Sequence, residues 1–288
     1  MASNQPESMP ALVFGPPGAG VELVAAQLSE AGLAAEAWDG SAENPAAEDP
    51  EALSGRPLLL NLEVGLAAFA ARSGPPWRAA GGVADWGAAV RQWDLSRQRQ
   101  RQARLRARVV LDTTHLTPAG LEARLEQLSL AARVRTATRP LVVLESFAFP
   151  VGLPLDHSWC LDVRALQNPY WEPALRPYSG LAPPVQEFVL SQPLTQQLLE
   201  QAEAVVLGQL PAWTASRLLV IRFAIGCTGG FHRSVALAEE LHRRLGATGV
   251  ESLVWHRDLG PEGDADAPAP PPPVIPPAAG GGDHGGPI

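Results

Sequence analysis

The chain has 288 residues, 46% of them hydrophobic, with 22 basic and 30 acidic side chains and a formal charge of −8 at pH 7. That length holds two domains with real cores, and the acidic balance excludes a nucleic-acid binder of the ordinary basic kind. Every basic residue is Arg, the only cysteines are Cys160 and Cys227, and neither a leader pattern in MASNQPESMP nor a membrane-length apolar run is present. These features predict a cytoplasmic protein with no membrane contact and no structural disulfide.

Ala11 to Phe14 read as a short buried strand, GPPGAGVE at 15–22 as a glycine loop, and VELVAAQLSEA as the helix that follows, stopped by Gly32. Strand, loop and helix in that order are the context of a Walker A motif, G-x-x-x-x-G-K-[ST], and Gly15, Gly18 and Gly20 supply its curl. Val21 and Glu22 stand where the motif needs Lys and Ser or Thr. Losing the lysine removes charge-assisted hydrogen bonds of about 1.5–3 kcal/mol each. This loop therefore predicts weak or absent binding of ATP or GTP by a degenerate nucleotide site. An active hydrolase is the competing reading.

LLLNL at 58–62 and VVLDTTHL at 109–116 read as further strands, and Thr117 followed by Pro118 as the cap of a helix carrying Leu121, Leu125 and Leu128. Between them, Arg91, Arg97, Arg99, Arg101, Arg104, Arg106 and Arg108 fall largely on a helix with Trp86 and Trp93. Such a run binds RNA phosphates or forms a solvated face paired with carboxylates, and the second is the commoner case. His115, His157 and His242 are isolated and lack metal-ligand spacing, so no metal site is predicted.

In the second half, strands are predicted at 141–147, 158–164, 218–225 and 250–255, with helices around 184–208 and after Ser234. The alternation implies a three-layer α/β arrangement. The stretch GCTGGFHRS at 226–234 joins the strand LLVIRFAI to the amphipathic helix SVALAEELHRRL. Gly226, Gly229 and Gly230 let the backbone turn its N–H groups inward, and the helix adds the positive end of its dipole. Arg233 offers a guanidinium and Thr228 and Ser234 offer hydroxyls, so the expected guest is a phosphate.

Two other readings of this loop stand beside that one. Cys227 and Arg233 have the C-x5-R spacing of cysteine-dependent phosphatases, in which a thiolate attacks the cradled phosphate. Here Gly226 replaces the His that usually precedes the cysteine, and no general-acid Asp loop is evident. In the plainest reading, Cys227 is a small buried hydrophobe in a tight turn.

The string GCTGGFHRSVALAEEL resembles the signature of the C-terminal domain of the RapZ family, in which GCTGG-x-HRS precedes a helix. SFAFPVGLPLDHSWCLDVRALQNPYWEPALRPYSGL at 146–181, PVQEFVLSQP at 184–193 and VWHRDL at 254–259 resemble the family in the same order. The resemblance implies a P-loop NTPase-like parallel-sheet domain at 1–138 and a phosphate- and RNA-binding α/β domain at 139–260. The acidic, Pro- and Gly-rich segment 261–288 reads by composition as a disordered tail. The family's known role implies a regulatory adapter, not an enzyme, with no catalytic residue of its own. Its ligand would be an amino-sugar phosphate, with RNA as a further partner and a homo-oligomeric assembly.

By position, the resemblance carries the metabolite site onto Thr228, Gly229, His232 and Arg233. Cys227, Gly230 and Ser234 join them from the reading of the loop. RVVLDTTHL resembles the family segment that ends a strand in Asp-Thr, so Asp112 joins Gly15, Gly18 and Gly20 as a candidate for the degenerate nucleotide site. A strand-end cap is its other role.

Overall fold

The computed structural model describes residues 11–40, 58–72 and 86–259. The predicted tail at 261–288 and the first ten residues lie outside the described residues. Two parallel four-stranded sheets carry the fold. The first contains β1 (Ala11–Phe14), β2 (Ala35–Trp38), β3 (Leu58–Glu63) and β4 (Val109–Asp112) in the order β2-β1-β3-β4. The second contains β5 (Leu141–Ala148), β6 (Trp159–Asp162), β7 (Val220–Cys227) and β8 (Ser252–His256) in the order β6-β7-β5-β8.

Parallel neighbours need crossovers, and helices supply them. They are α1 (Val21–Glu30), α2 (Leu66–Arg72), α3 (Trp86–Arg99), α4 (Arg101–Leu105), α5 (Pro118–Leu128), α6 (Leu130–Thr136), α7 (Pro183–Leu190), α8 (Pro193–Ala215) and α9 (Arg233–Ala247). The chain is thus an α/β protein, as its alternation of apolar runs predicts. Among the described residues no helix is long and apolar enough to cross a membrane.

Local sequence explains several boundaries. Helix α5 starts where Thr117 accepts the Gly120 N–H at 3.1 Å with Pro118 in the first turn. Its Leu121, Leu125 and Leu128 are buried at helical spacing. Helix α9 buries Leu237, Ala238, Leu241 and Leu245 against the second sheet, as its sequence predicts, while the fifth predicted residue, Val235, packs with Phe231 and Leu259 instead. Each such leucine contributes about 1.5–3 kcal/mol by leaving water.

Strand β5 shows how the two sheets share one interior. Successive strand side chains point to opposite faces. Leu141 and Val143 accordingly pack into the core of the first sheet, together with Val220 of β7 and Trp255 of β8. Val142 and Leu144 pack against α7, α8 and α9 on the other face. The backbone also stitches the seam: the Arg108 N–H bonds the Leu59 carbonyl at 2.9 Å, and the Arg108 carbonyl accepts from Leu219 N–H at 2.9 Å.

The face turned to the first sheet also carries charge. Arg222 of β7 is ion-paired with Glu145 of β5 and lies 3.0 Å from Asp156. Its guanidinium also stacks 4.5 Å from the Trp255 ring centroid, and Arg124 of α5 stands 3.9 Å from the same centroid. Trp255 Nε1 donates to Gln127 at 2.6 Å, and Asp156 accepts the Asp112 N–H at 2.7 Å. Burial draws Arg124 down to about 10.

The Asp156 carboxyl is fully buried, and burial pushes it up to about 7 against the pull of Arg222, with Glu145 and Asp112 adding repulsion. The folded-state value lies above the unfolded one, so the folded chain holds this proton more tightly. The stabilisation is complete below about pH 4 and is lost as the pH climbs to about 7. Asp156→Asn is expected to flatten the fall in stability across that window, measured by urea unfolding at a series of pH values. An unchanged slope contradicts the assignment.

Candidate functional site

Strand β7 ends at Cys227 and helix α9 begins at Arg233, so the whole turn is made by five residues. Gly230 adopts φ +64°, the left-handed region where a side chain is strained, and a Cβ there would also press on Ala148 N and Asp258 at 3.0 Å. Its N–H donates to Cys227 Sγ at 3.2 Å, and Sγ lies 3.1 Å from Ser234 Oγ. Cys227 and Ser234 thus tie the loop to the helix from beneath, both buried. Thr228 and Gly229, half-buried, form the rim.

The backbone amides of Thr228, Gly229, Phe231, His232, Arg233 and Ser234 meet no acceptor among the described residues. Their grouping at the start of α9 couples free donors to the helix dipole. Such a junction stabilises an anion without any side-chain cation.

The side chains of Arg233 and His232 are used differently from their sequence expectation. Arg233 Nη1 donates to the carbonyls of Arg164 and Leu166, both at 2.9 Å, and Nη2 donates to Thr228 Oγ1 at 3.2 Å. Only 4% of Arg233 is exposed, and burial lowers its affinity for the proton. It is a positioning residue that clamps the loop to the segment after β6. His232 Nε2 donates to the Arg176 carbonyl at 3.2 Å, and burial lowers its pKa, which keeps the ring neutral near pH 7. Neither side chain presents a free charged fork at the rim: both Nη atoms of Arg233 are bonded, its unpartnered Nε is buried, and His232 Nε2 is spent on the Arg176 carbonyl.

For the thiol chemistry, the same geometry matters. Cys227 is 2% exposed and lies under the loop. The guanidinium that a cysteine phosphatase aims at its substrate is here fastened to carbonyls. The arrangement is that of a thiol filling a turn.

Gly180 carries no local signal that would single it out. Its N–H donates to the Phe231 carbonyl at 2.8 Å, and a Cβ on it would collide with the His232 carbonyl and with Ala236 N. The turn before α7 therefore lies directly on the first turn of α9. Asp162 and Arg164, at the end of β6, pair with each other at 2.6 Å at the surface. The hydrogen bonds from Arg164 hold the Asp162 carboxyl below the usual carboxylate range.

In the first sheet, one hydrogen bond crosses the glycine loop, and the start of the loop is tied to Trp38 and Gln100. Gly18 and Gly20 have φ +77° and +92°, as a tight curl requires. The Gly15 N–H bonds Trp38 O at 3.2 Å, Ala19 N–H bonds Pro16 O at 3.0 Å, and Gln100 Nε2 caps Gly15 O at 2.7 Å. Val21 is 1% exposed within the core, and Glu22 faces solvent. Asp112 is turned to other work: its carboxylate accepts from Thr114 N–H and hydroxyl and from Leu155 N–H at 2.9 Å. These residues do not fit a nucleotide triphosphate with its metal, since neither a phosphate cation nor a metal-binding hydroxyl follows the loop. Among the described residues no His, Cys, Asp and Glu cluster could hold a metal.

The arginine run of α3 and α4 is partly paired. Arg97 and Arg104 both reach the buried Glu63 of β3, the first at 2.9 Å. Arg91, Arg101 and Arg106 are exposed. The run is therefore a structural clasp on one side and a solvated face on the other.

The fold and the loop define a parallel α/β protein with an anion-type junction between a strand and a helix in its second sheet. Residues 140–260 match the family described as the RapZ C-terminal domain, and this part of the chain belongs to that family. A nucleotide-binding protein of Corynebacterium jeikeium is 43% identical over 166 residues, covering 58% of this chain and 56% of that protein. One from Laribacter hongkongensis is 42% identical over 149 residues, covering 52% of each. One from Streptomyces coelicolor is 38% identical over 166 residues, covering 58% and 54%. The matches thus span only about half the length of these curated relatives.

Proposed function

We propose that the turn from Gly226 to Ser234 binds the phosphate of a small phosphorylated metabolite and that the protein is a regulatory adapter. The observation that carries this reading is the group of unpartnered amides at the start of α9, beside the rim formed by Thr228 and Gly229. An amino-sugar phosphate is the ligand class the family resemblance implies. Thr228 keeps its hydroxyl proton for the ligand while its oxygen accepts from Arg233. The ligand would act by favouring one of two assembly or partner-binding states.

RNA as a partner and a homo-oligomeric assembly rest on the resemblance alone, since residues 139–260 hold nine Arg against eleven carboxylates. The relatives' name supports nucleotide binding, and its placement in the first sheet rests on the likeness of the glycine loop to a Walker A motif. The buried Val21, standing where the motif needs its lysine, favours weak binding through main-chain amides, without hydrolysis. No ATP or GTP turnover above buffer is expected with Mg²⁺ present, and steady phosphate release would overturn this part.

The whole reading is tested by thermal unfolding with inorganic phosphate and with glucosamine 6-phosphate. A ligand at about 100 times its Kd stabilises by about 2.7 kcal/mol, which for a chain of this size is a rise of several degrees. A flat melting temperature with both compounds contradicts it.

A further inference from the structure

At the opposite ends of the strands from both glycine loops, a cavity of about 340 Å³ opens where the two sheets meet. Arg108, at the entry to β4, Arg139, just before β5, and Arg217, just before β7, all line it. Thr138 adds a hydroxyl, whereas the hydroxyl of Thr214 is spent on the Leu210 carbonyl at 2.8 Å, and Leu218 is part of the apolar wall. No carboxylate lines it among the described residues.

Arg108 Nε is spent on the Arg217 carbonyl at 2.7 Å, which brings the two guanidinium-bearing residues side by side. Burial, with the Arg217 charge beside it, lowers the proton affinity of Arg108. Arg217 itself sits at φ +56°, a left-handed conformation that costs about 1–2 kcal/mol in a residue other than Gly. Its N–H on Thr214 O and its carbonyl under Arg108 hold it there. Arg139 and Arg217 are exposed, with their side chains in no ion pair among the described residues. In the adjoining cavity, which shares Thr138 and Arg139, the one carboxylate is Glu251, already paired with Arg133.

We propose that this cavity is a second anion site, which takes the phosphate of a small phosphorylated molecule between Arg108, Arg139 and Arg217. Its volume holds a phosphate or pyrophosphate group with room for a carbon skeleton, and its apolar wall gives that skeleton a surface. The ligand would bridge residues that enter both sheets and so tighten the seam. A concave site of this size on a chain of charge −8 favours a small molecule over a polynucleotide. The site is independent of the loop at 226–234.

Pyrophosphate titrated by calorimetry tests it. The double variant Arg139→Gln/Arg217→Gln removes two exposed guanidiniums whose side chains carry no structural bond, and it is expected to weaken binding roughly tenfold to a hundredfold. Arg91→Gln, an exposed cation elsewhere, is expected to bind as wild type does. Gly180→Ala, which disturbs only the other loop, is expected to keep this binding, so failure of one site does not disguise failure of the other. Equal pyrophosphate affinity in wild type and double variant overturns the proposal. So does the absence of any pyrophosphate binding, or a site that answers only to an RNA oligonucleotide.

Discussion

Arg222→Met is expected to lower the unfolding free energy by about 3–5 kcal/mol, the loss typical when one partner of a buried ion pair is removed. Arg222 is 4% exposed and faces Glu145 and Asp156, themselves buried. Without the guanidinium these carboxylates lose their counter-charge in a space from which water is excluded, and Trp255 loses one of its two stacked cations. The cost comes from the stranded charges and not from the worth of the pair. Replacing the group together, as Arg222→Met/Glu145→Leu/Asp156→Leu, is therefore expected to recover much of the loss. Chemical denaturation of the three proteins checks both statements, and a single variant as stable as wild type would refute the account of the seam.

Gly180→Ala is expected to abolish phosphate binding at the loop while costing about 1–3 kcal/mol of stability, the range for forcing a methyl into a packed interior. The methyl would meet the His232 carbonyl and Ala236 N, both backbone atoms of the first turn of α9, which cannot rotate aside. The start of the helix must move, and the amides of the proposed anion site move with it. Calorimetry with glucosamine 6-phosphate reads the affinity and urea unfolding reads the cost. Wild-type affinity in this variant would show that the loop tolerates displacement and is not the binding element.

The strand-loop-helix junction was legible because its signals are local: a branched apolar run, three glycines and an amphipathic helix, all within the segment 218–245. The start of α5 was legible for the same reason, through Thr117 and Pro118. The seam was not. Arg222 interrupts LLVIRFAI, but its partners Glu145 and Asp156 are 77 and 66 residues away, and nothing in the sequence says which strands neighbour one another.

The alternation of β5 between two cores was likewise hidden, because Leu141 to Leu144 are uniformly apolar and show no preferred face. At the site, residue type foretold that Arg233 would hold something, but not that it would hold the carbonyls of Arg164 and Leu166. Main-chain acceptors leave no mark in a sequence. Asp112 shows the same limit, since its ligands are the amides of Thr114 and Leu155.

Amide NMR during titration with glucosamine 6-phosphate reads whether main-chain N–H groups of the β7–α9 turn hold a phosphate. Saturable shifts at Thr228, Gly229 and Phe231 to Ser234, absent in Gly180→Ala, are the predicted result. Shifts confined to other parts of the chain, with those amides unmoved at saturation, would contradict it.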